Sequence, residues 1–573
     1  MTNQWIFKNL TPEQESDQKK IAEQLGVSKV LAKLLIERGI RTMEDARAFF
    51  CPDLSQLHDP FLIKDMDKAV ARLNRALAHK EKILIYGDYD VDGTTAVALV
   101  YTFLQQYTSD VDFYIPDRYT EGYGVSKQGV DYAKEKGVTL IISLDCGIKA
   151  IERVAYANSL GIDFIVCDHH TTDDVLPDAV AVLDSKRADD TYPYKHLSGC
   201  GVGFKFMHAF AMSNGIEFAC LEPLLDFVAV SIASDIVPIT GENRVLAYYG
   251  IKRLNEMPSL GLKSIIEVCH LKGKEITIND IVFKIGPRIN ASGRIQSGRE
   301  VVELLVSKNK RFAREKSSDI NSYNDERRDI DKKTTQEAKS AVTDEMVRTR
   351  RSLVVYNPEW HKGIVGIVAS RLTEEYYKPT VVLTKANGIV SGSARSVHGF
   401  DLYKAIDSCR DLLENFGGHT YAAGLSMKEE NLAMFIEEFE KYVSANITET
   451  QLRPHIDIDA ELTFKEITPR FVNTLKRFEP FGPGNPKPTF CTRRVYDHND
   501  GSKIVGQGGE HLKLELVDGS GDSVMNGIAF RMGKYCKELK SFTPVDICYT
   551  IEENTFNGFT STQLMIRDIK KSE

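Results

Sequence analysis

From Ile83 onward the chain repeats one rhythm: a short, largely apolar run, a polar or glycine-bearing turn, then a stretch with apolar residues every three or four positions. The runs are ILIY (83–86), VDFYI (111–115), LIISL (140–144) and FIVC (164–167). Largely apolar runs of this length suit strands buried on both faces, and their alternation with helical stretches predicts a parallel sheet covered by helices. Upstream, residues 16–50 carry helical periodicity (IAEQLGVSKVLAKLLIERGI), with a second capped helix expected to start near Thr42, which predicts a small helical lead-in. From Leu353 a second α/β pattern begins: LVVY, the helical GIVGIVASRLTEEY, VVLT, the turn-rich SGSARSVHG, a helix ending near Phe416, then GGHTYAAG. Past Pro454 the pattern changes to short strands with turns (HIDIDAEL, PTFCTRRVY, HLKLELVD, VMNGIAFRM, VDICYTIEE, STQLMIRDI), which predicts a small β-barrel. Residues 300–350 are charged and poor in Gly and Pro, with thinly spaced apolar positions, and read as one long exposed helix between two lobes. The expected organisation is a helical lead-in (1–80), an α/β domain (81–299), a connecting helix (300–350), a second α/β domain (351–453) and the barrel (454–573).

The chemistry sits where strands end. ILIY leads into Asp88-Tyr-Asp90-Val-Asp92-Gly93, three carboxylates at alternate positions that project to one side of an extended segment. Like charges so close repel unless a cation lies between them, so the segment reads as a divalent-metal site. An EF-hand loop also opens D-x-D-x-D-G but needs a Glu at its twelfth position, and counting from Asp88 that residue is Leu99. LIISL leads into Asp145-Cys146-Gly147 and FIVC into Asp168-His169-His170, while the apolar LLDFVAVSIASDIVPI delivers Asp235. Ligands of open α/β sheets sit beyond the carboxyl ends of the strands, so Asp145, His169 and Asp235 are expected at the rim that carries Asp90 and Asp92.

At 573 residues the chain is too long for one core. Lys plus Arg total 73 against Asp plus Glu 81, a net charge of -8, which excludes a uniformly basic nucleic-acid coat but leaves room for a local basic groove. Ten cysteines without a C-x-x-C pair argue against a zinc knuckle, and Cys146 and Cys167 read as buried thiols. MTNQWIFKNL lacks the features of a leader and no apolar run is long enough to span a bilayer, so a soluble cytoplasmic protein with no membrane partner is expected. No G-x-x-x-x-G-K-[ST] motif is present, which argues against ATP hydrolysis.

In order and spacing, Asp88-Tyr-Asp90-Val-Asp92-Gly93, Asp145-Cys-Gly, Asp168-His169-His170 and Ser234-Asp235 resemble the four motifs of the DHH phosphoesterase superfamily. GPRINASGR (286–294) and FEPFGPGNPKPTF (478–490) are similar to segments of its bacterial single-strand-specific exonuclease branch. Residues 351–453 resemble the DHHA1 domain that accompanies DHH, although Phe416 stands where that family usually has the first of three glycines. The resemblance implies two α/β lobes, DHH and DHHA1, with the barrel as an OB-fold that binds single strands. It also implies a phosphodiesterase that degrades single-stranded DNA 5′ to 3′ to mononucleotides in DNA repair and recombination. A monomer is expected, with single-strand-binding protein and a helicase as partners. By the same resemblance Arg371, Arg395, Ser396 and His419, with Arg288 and Arg294 from the earlier loop, contact the nucleic-acid backbone; the planar arginine fork suits phosphate oxygens.

Oxygen-rich ligation with one imidazole fits Mn²⁺ or Mg²⁺ better than zinc, and five or six ligands imply two ions. The expected ligands are Asp88, Asp90, Asp92, Asp145, His169 and Asp235, with Asp145 bridging. Asp90, helped by Asp88, holds one ion, and Asp92, His169 and Asp235 hold the other. His170 is left to orient the phosphate or protonate the leaving oxygen, with Asp168 steadying the histidines. Shorter members of the superfamily act on pyrophosphate or dinucleotides but lack the barrel, and non-catalytic replication scaffolds have lost ligands that are all present here.

Overall fold

The computed structural model describes residues 3–386, 388–521, 523–541, 543–556 and 558–572. The chain forms two compact units, Phe7–Ile320 with Asp457–Glu573, and Met1–Ile6 with Asn321–Ile456. Among the described residues no helix is long and apolar enough to cross a membrane.

The first unit is built on a five-stranded parallel sheet in the order Val111–Tyr114, Ile83–Gly87, Leu140–Leu144, Asp163–Cys167, Ala181–Leu183. Every residue of Ile83–Gly87 and Leu140–Leu144 is buried, which is why these runs show no polar alternation. The chain leaves the Ile83–Gly87 strand towards one edge and returns to pair Leu140–Leu144 on its other side. The strand order therefore reverses between these two strands, and open sheets bind ligands at such a switch point. The fifth strand, Ala181–Leu183, is an addition to the four expected, although it ends an apolar run of five residues, Ala179 to Leu183.

The N-terminal helices do not form a separate module. Pro12–Leu25, Lys29–Ile36 and Met43–Phe50, the last capped by Thr42, bury Ile21, Leu31, Leu34, Leu35 and Ala46 in one core with Phe490, Leu514 and Ile547 of the barrel. Met66–Ala78 instead packs against the helix Gly199–Ser213 and the Ala181–Leu183 strand. The strand Gln4–Phe7, which carries no helical signal, precedes them.

Glu37, at the end of Lys29–Ile36, has both carboxylate oxygens buried, with the Lys33 ammonium 3.5 Å from Oε1. Burial, with Asp459 nearby, pushes it from its ordinary 4.5 up to about 7. A carboxyl raised in the folded state weakens the fold once it ionises, a cost that grows from the unfolded pKa and is complete above the folded one. Glu37→Gln is therefore expected to gain stability over the unsubstituted protein as pH rises from about 5 to about 8. Urea midpoints of the two proteins across that range check this, and a constant difference would contradict it.

Five of the six expected strand segments lie in the barrel, which adds Lys503–Val505; of the first, HIDIDAEL, only Ala460–Glu461 joins it, and His455–Ile458 lies in a separate two-stranded sheet. The barrel sheet runs Ala460–Glu461, Phe490–Asp497, Val545–Phe556, Phe559–Lys571, Val524–Ala529, His511–Val517, Lys503–Val505. Pairing of Tyr496 with Val517 and Asp497 with Leu516 partly closes it into a ring.

The second unit holds a five-stranded sheet in the order Leu353–Tyr356, Thr380–Ala386, Ile389–Arg395, Ala422–Met427, Asn415–His419. Two expectations are corrected here. SGSARSVHG is largely strand rather than turn, and the helix expected to end near Phe416 ends at Asp407, leaving Phe416 to His419 in a hairpin strand whose Phe416 pairs with Leu425. The small residues that suggested turns let neighbouring strands approach: a Cβ on Gly392 would lie 2.1 Å from the Val382 carbonyl oxygen.

Residues 300–350 hold three helices rather than one: the end of Gly298–Leu305, Lys310–Ala341 and Asp344–Thr349. The long helix is not exposed all round. Ala313, Ser317, Ile320, Asn324, Asp331, Thr335 and Ala338 are buried at three-, four- and seven-residue spacing. Small and polar residues make this stripe, so an apolar count missed it.

Candidate metal centre

The Ile83–Gly87 strand ends in a turn held tight by glycine, since a Cβ on Gly93 would lie 2.4 Å from the carbonyl oxygen of Asp88. Asp90 caps the helix Val91–Leu104, its carboxylate accepting the Gly93 N–H at 3.0 Å. Asp92, in the first turn, is buried and accepts the N–H groups of Gly199 and Cys200 and the Ser231 hydroxyl, each at 2.7 Å. The N-terminus of the helix Gly199–Ser213 thus grips this carboxylate, as helix starts grip anions.

Asp145 follows the Leu140–Leu144 strand with φ at 59°, a left-handed conformation that a non-glycine residue keeps only when its surroundings hold it. Its amide donates to the Cys167 carbonyl at 2.9 Å. After the Asp163–Cys167 strand, Asp168 accepts the amides of His169 and Ile148 and, at 2.7 Å, Nδ1 of His170. Asp235 caps the C-terminus of Leu225–Ser234, its amide bonded to the Ser231 carbonyl at 2.9 Å.

These elements meet at one rim. Nε2 of His169 lies 3.1 Å from Asp145 Oδ1 and 3.6 Å from carboxylate oxygens of both Asp92 and Asp235. Ligand atoms of Asp92, His169 and Asp235 all lie within 4.8 Å of one another, as do those of Asp145, His169 and His170.

The electrostatics are those of charges lacking a counter-charge. Burial, then Asp92 and Asp90, pushes Asp235 up to about 8. Asp145, buried and facing Asp92, Asp90, Asp235 and Asp88, is held far above the usual carboxylate range. Asp88 is raised by burial and Asp90, and Asp90 by burial and Asp92. Burial pushes His169 down to about 4, leaving a neutral imidazole with a lone pair to give. Burial opposes charging His170, but its hydrogen bond to Asp168 prevails and carries it up to about 9. Asp168, in spite of its burial, is held well below the usual range by that same bond. Asp88 Oδ2, Asp145 Oδ1 and both ring nitrogens of His169 are buried with no hydrogen-bond partner. Buried polar atoms are almost always paired, and orphaned oxygens around a neutral imidazole are the donor set of a hard divalent cation.

Of the residues expected to contact nucleic acid, Arg288 and Arg294 sit in a helix, Gly286–Ile295, and not in a loop. Gly and Pro disguised it; a Cβ on Gly293 would lie 2.7 Å from the carbonyl oxygen of Tyr89, so the glycine lets this helix pack on the Asp88–Asp92 segment. Arg288 donates to the Lys284 carbonyl at 2.9 Å. In the second unit Arg371 pairs with the buried Asp331 at 2.6 Å, and Ser396 Oγ donates to the Phe400 carbonyl at 2.8 Å. Nη1 of Arg395 bonds Ser393 Oγ at 2.6 Å, and Nη2 lies over Gly366 in the first turn of Val365–Tyr376. Burial pushes Arg395 down, and among the described residues no carboxylate pairs with it. A guanidinium beside a helix N-terminus makes a seat for an anion. His419 is exposed at the end of Asn415–His419.

Two residues at the rim went unread in the sequence. Asp184 follows the Ala181–Leu183 strand as the other acids follow theirs, and burial pushes it up to about 7. The strand-then-acid pattern could have found it. Tyr123 reaches His170 from the turn 122–124, and nothing in its spacing marks it.

A family model described as the DHH family, N-terminal domain, matches residues 82–232, the DHHA1 domain matches 350–445 and the RecJ OB domain matches 458–568. The single-stranded-DNA-specific exonuclease RecJ of Dickeya dadantii is 33% identical over 561 residues, covering 94% of this chain and 96% of that protein. The chain belongs to the RecJ family. The Bacillus subtilis RecJ is 35% identical over 97% of this chain and 70% of its own length. The crystal structure of Thermus thermophilus RecJ in complex with Mn²⁺ matches with a TM-score of 0.85 at 25% identity, covering 100% of this chain and 80% of that one. A further crystal structure, of exonuclease RecJ bound to manganese, matches with a TM-score of 0.59 at 29% identity, covering 69% of this chain and 97% of that one. The expected arrangement of DHH and DHHA1 domains followed by an OB domain is that of the RecJ fold.

A separate groove of about 970 Å³ lies in the same unit, lined by Ile236, Tyr248, Phe283, Lys476 and Phe481 among others. Of its lining only Ile236 is a direct chain neighbour of an acid of the rim, so the chemistry belongs to the rim and not to this groove.

Proposed function

We propose that this protein is an exonuclease that hydrolyses single-stranded DNA from its 5′ end to mononucleotides, with two Mn²⁺ or Mg²⁺ ions, in DNA repair and recombination. The observation that carries the reading is the set of orphaned donors, Asp88 Oδ2, Asp145 Oδ1 and both nitrogens of His169, at one rim of a RecJ-type sheet. Asp145 would be shared between the ions, with Asp90 and Asp88 on one side and Asp92, His169 and Asp235 on the other. Bound there, the ions supply the Lewis acidity that polarises a phosphodiester and activates water.

The chain's own groups do the rest. Asp168 fixes the His170 ring through Nδ1 and leaves Nε2 to protonate the departing sugar oxygen. The helix Gly199–Ser213 neutralises part of the charge on Asp92 and so holds that ligand in place. Arg395 and the start of Val365–Tyr376 seat a phosphate of the strand, and Arg288, Arg294, Arg371, Ser396 and His419 are the further backbone contacts. The barrel holds the strand as OB-folds do.

The test uses one oligonucleotide labelled at either end. With Mn²⁺, a 5′ label should appear at once as mononucleotide while a 3′ label shortens stepwise, and both should stay intact in EDTA. Cleavage in EDTA would refute the metal dependence, and release of the 3′ label first would reverse the polarity.

A further inference from the structure

Tyr123 lies on a turn between Gly122 and Gly124, both with positive φ (86° and 82°), and a Cβ on either glycine would meet nothing. These glycines serve the backbone, letting the turn fold over the acid rim. The turn is tied down: the Gly124 amide donates to Asp88 Oδ1 at 3.3 Å, and the Gly124 carbonyl accepts the Tyr86 hydroxyl at 3.0 Å. The Tyr123 side chain stands 57% exposed, yet its hydroxyl points inward. It lies 3.1 Å from Nε2 and 3.5 Å from Nδ1 of His170, beside the ring, and donates to the carbonyl oxygen of Asp145 at 3.3 Å; the two rings meet edge to face with centroids 5.9 Å apart.

The His170 ring is thereby held by Asp168 at Nδ1 and braced from the side by the Tyr123 hydroxyl, which lies nearer Nε2 and leaves its N–H direction open. The same hydroxyl reaches the carbonyl of Asp145, whose left-handed backbone needs outside support. One phenol joins the proton-bearing imidazole and the shared carboxylate residue, which come from different strands. We infer that Tyr123 is a positioning residue: its hydroxyl sets the His170 ring and the Asp145 backbone in register before the strand arrives. The rival use of an exposed tyrosine beside a nucleic-acid site, stacking on a base, needs only the ring. The hydroxyl role needs the oxygen, so Tyr123→Phe separates them.

The inference rests on the exonuclease reading for its kinetic arm but not for its spectroscopic one. In metal-free protein carrying ¹⁵N-histidine, Tyr123→Phe should shift the Nε2 resonance of His170, assigned by its loss in His170→Asn, with thermal stability unchanged. On single-stranded DNA with Mn²⁺ the variant should lose about 10- to 100-fold in kcat with KM unchanged, the size typical of partners that orient a reacting group. An unmoved Nε2 resonance with unchanged kcat would overturn the inference, and so would a silent Tyr123→Phe beside a Tyr123→Ala that raises KM alone. If the unsubstituted protein leaves single strands intact, the exonuclease reading fails, while the resonance still decides whether the hydroxyl holds His170.

Discussion

Asp145→Asn is expected to lose single-strand cleavage in Mn²⁺ by roughly a thousandfold or more, since even groups that only orient metal ligands are worth about 10- to 100-fold. Without metal, the same substitution should make the protein more stable. Asp145 is buried against Asp92, Asp90, Asp235 and Asp88, and its carboxyl is raised far above the usual range. A raised carboxyl costs stability wherever it is forced to ionise, from the unfolded pKa upward, so the gain from Asn is present at neutral pH. Asn also tolerates the left-handed backbone that Asp145 adopts at φ 59°. Mn²⁺ at a hundred times its Kd should stabilise the unsubstituted protein by about 2.7 kcal/mol and the variant by far less. Calorimetry in EDTA and in Mn²⁺, beside the cleavage assay, checks all three; a variant less stable in EDTA, or still responsive to Mn²⁺, would contradict the crowded-carboxylate account.

Gly199→Ala should damage the site without touching a charged group. A Cβ at Gly199 would lie 2.6 Å from Asp145 Cβ, 2.8 Å from its Oδ1 and 2.9 Å from its Cα, and a backbone atom cannot swing aside. Either the helix start retreats, lengthening the 2.7 Å bond from the Gly199 amide to Asp92, or Asp145 moves from the rim. Overpacking of this kind costs about 1–3 kcal/mol. Mn²⁺ affinity and cleavage should fall together, by about 10- to 100-fold. Gly201→Ala, two residues on, is the milder comparison: its nearest neighbour would be the Ser198 side-chain oxygen at 3.3 Å rather than backbone, so it should lose far less of either affinity or rate. Titration calorimetry with Mn²⁺ separates the pair, and equal behaviour of the two variants would remove the packing argument.

The parallel sheet was readable because its central strands, Ile83–Gly87 and Leu140–Leu144, are buried throughout and so stand out as apolar runs in the sequence. Asp88, Asp145 and Asp168 were readable because each follows such a run, while Asp235 follows an apolar helix. Residues 300–350 were misread as one exposed helix because burial there falls on Ser317, Asn324, Asp331 and Thr335, side chains that an apolar count passes over. GPRINASGR and SGSARSVHG were misread for one reason: glycine marks a turn in isolation but marks close approach when another backbone lies against it, as Tyr89 does at Gly293. That the lead-in helices share a core with the barrel could not be seen from local pattern, since some 430 residues separate Leu34 from Phe464 in the sequence. Tyr123 is the same kind of case, a contact made through a turn whose partners follow two separate strands.

Anomalous scattering from crystals soaked in Mn²⁺ tests the central claim most directly. Two peaks are predicted, both bordering Asp145, one also against Asp90 and the other against Asp92, His169 and Asp235. No peak at this rim, or peaks that leave Asp145 and His169 untouched, would contradict it.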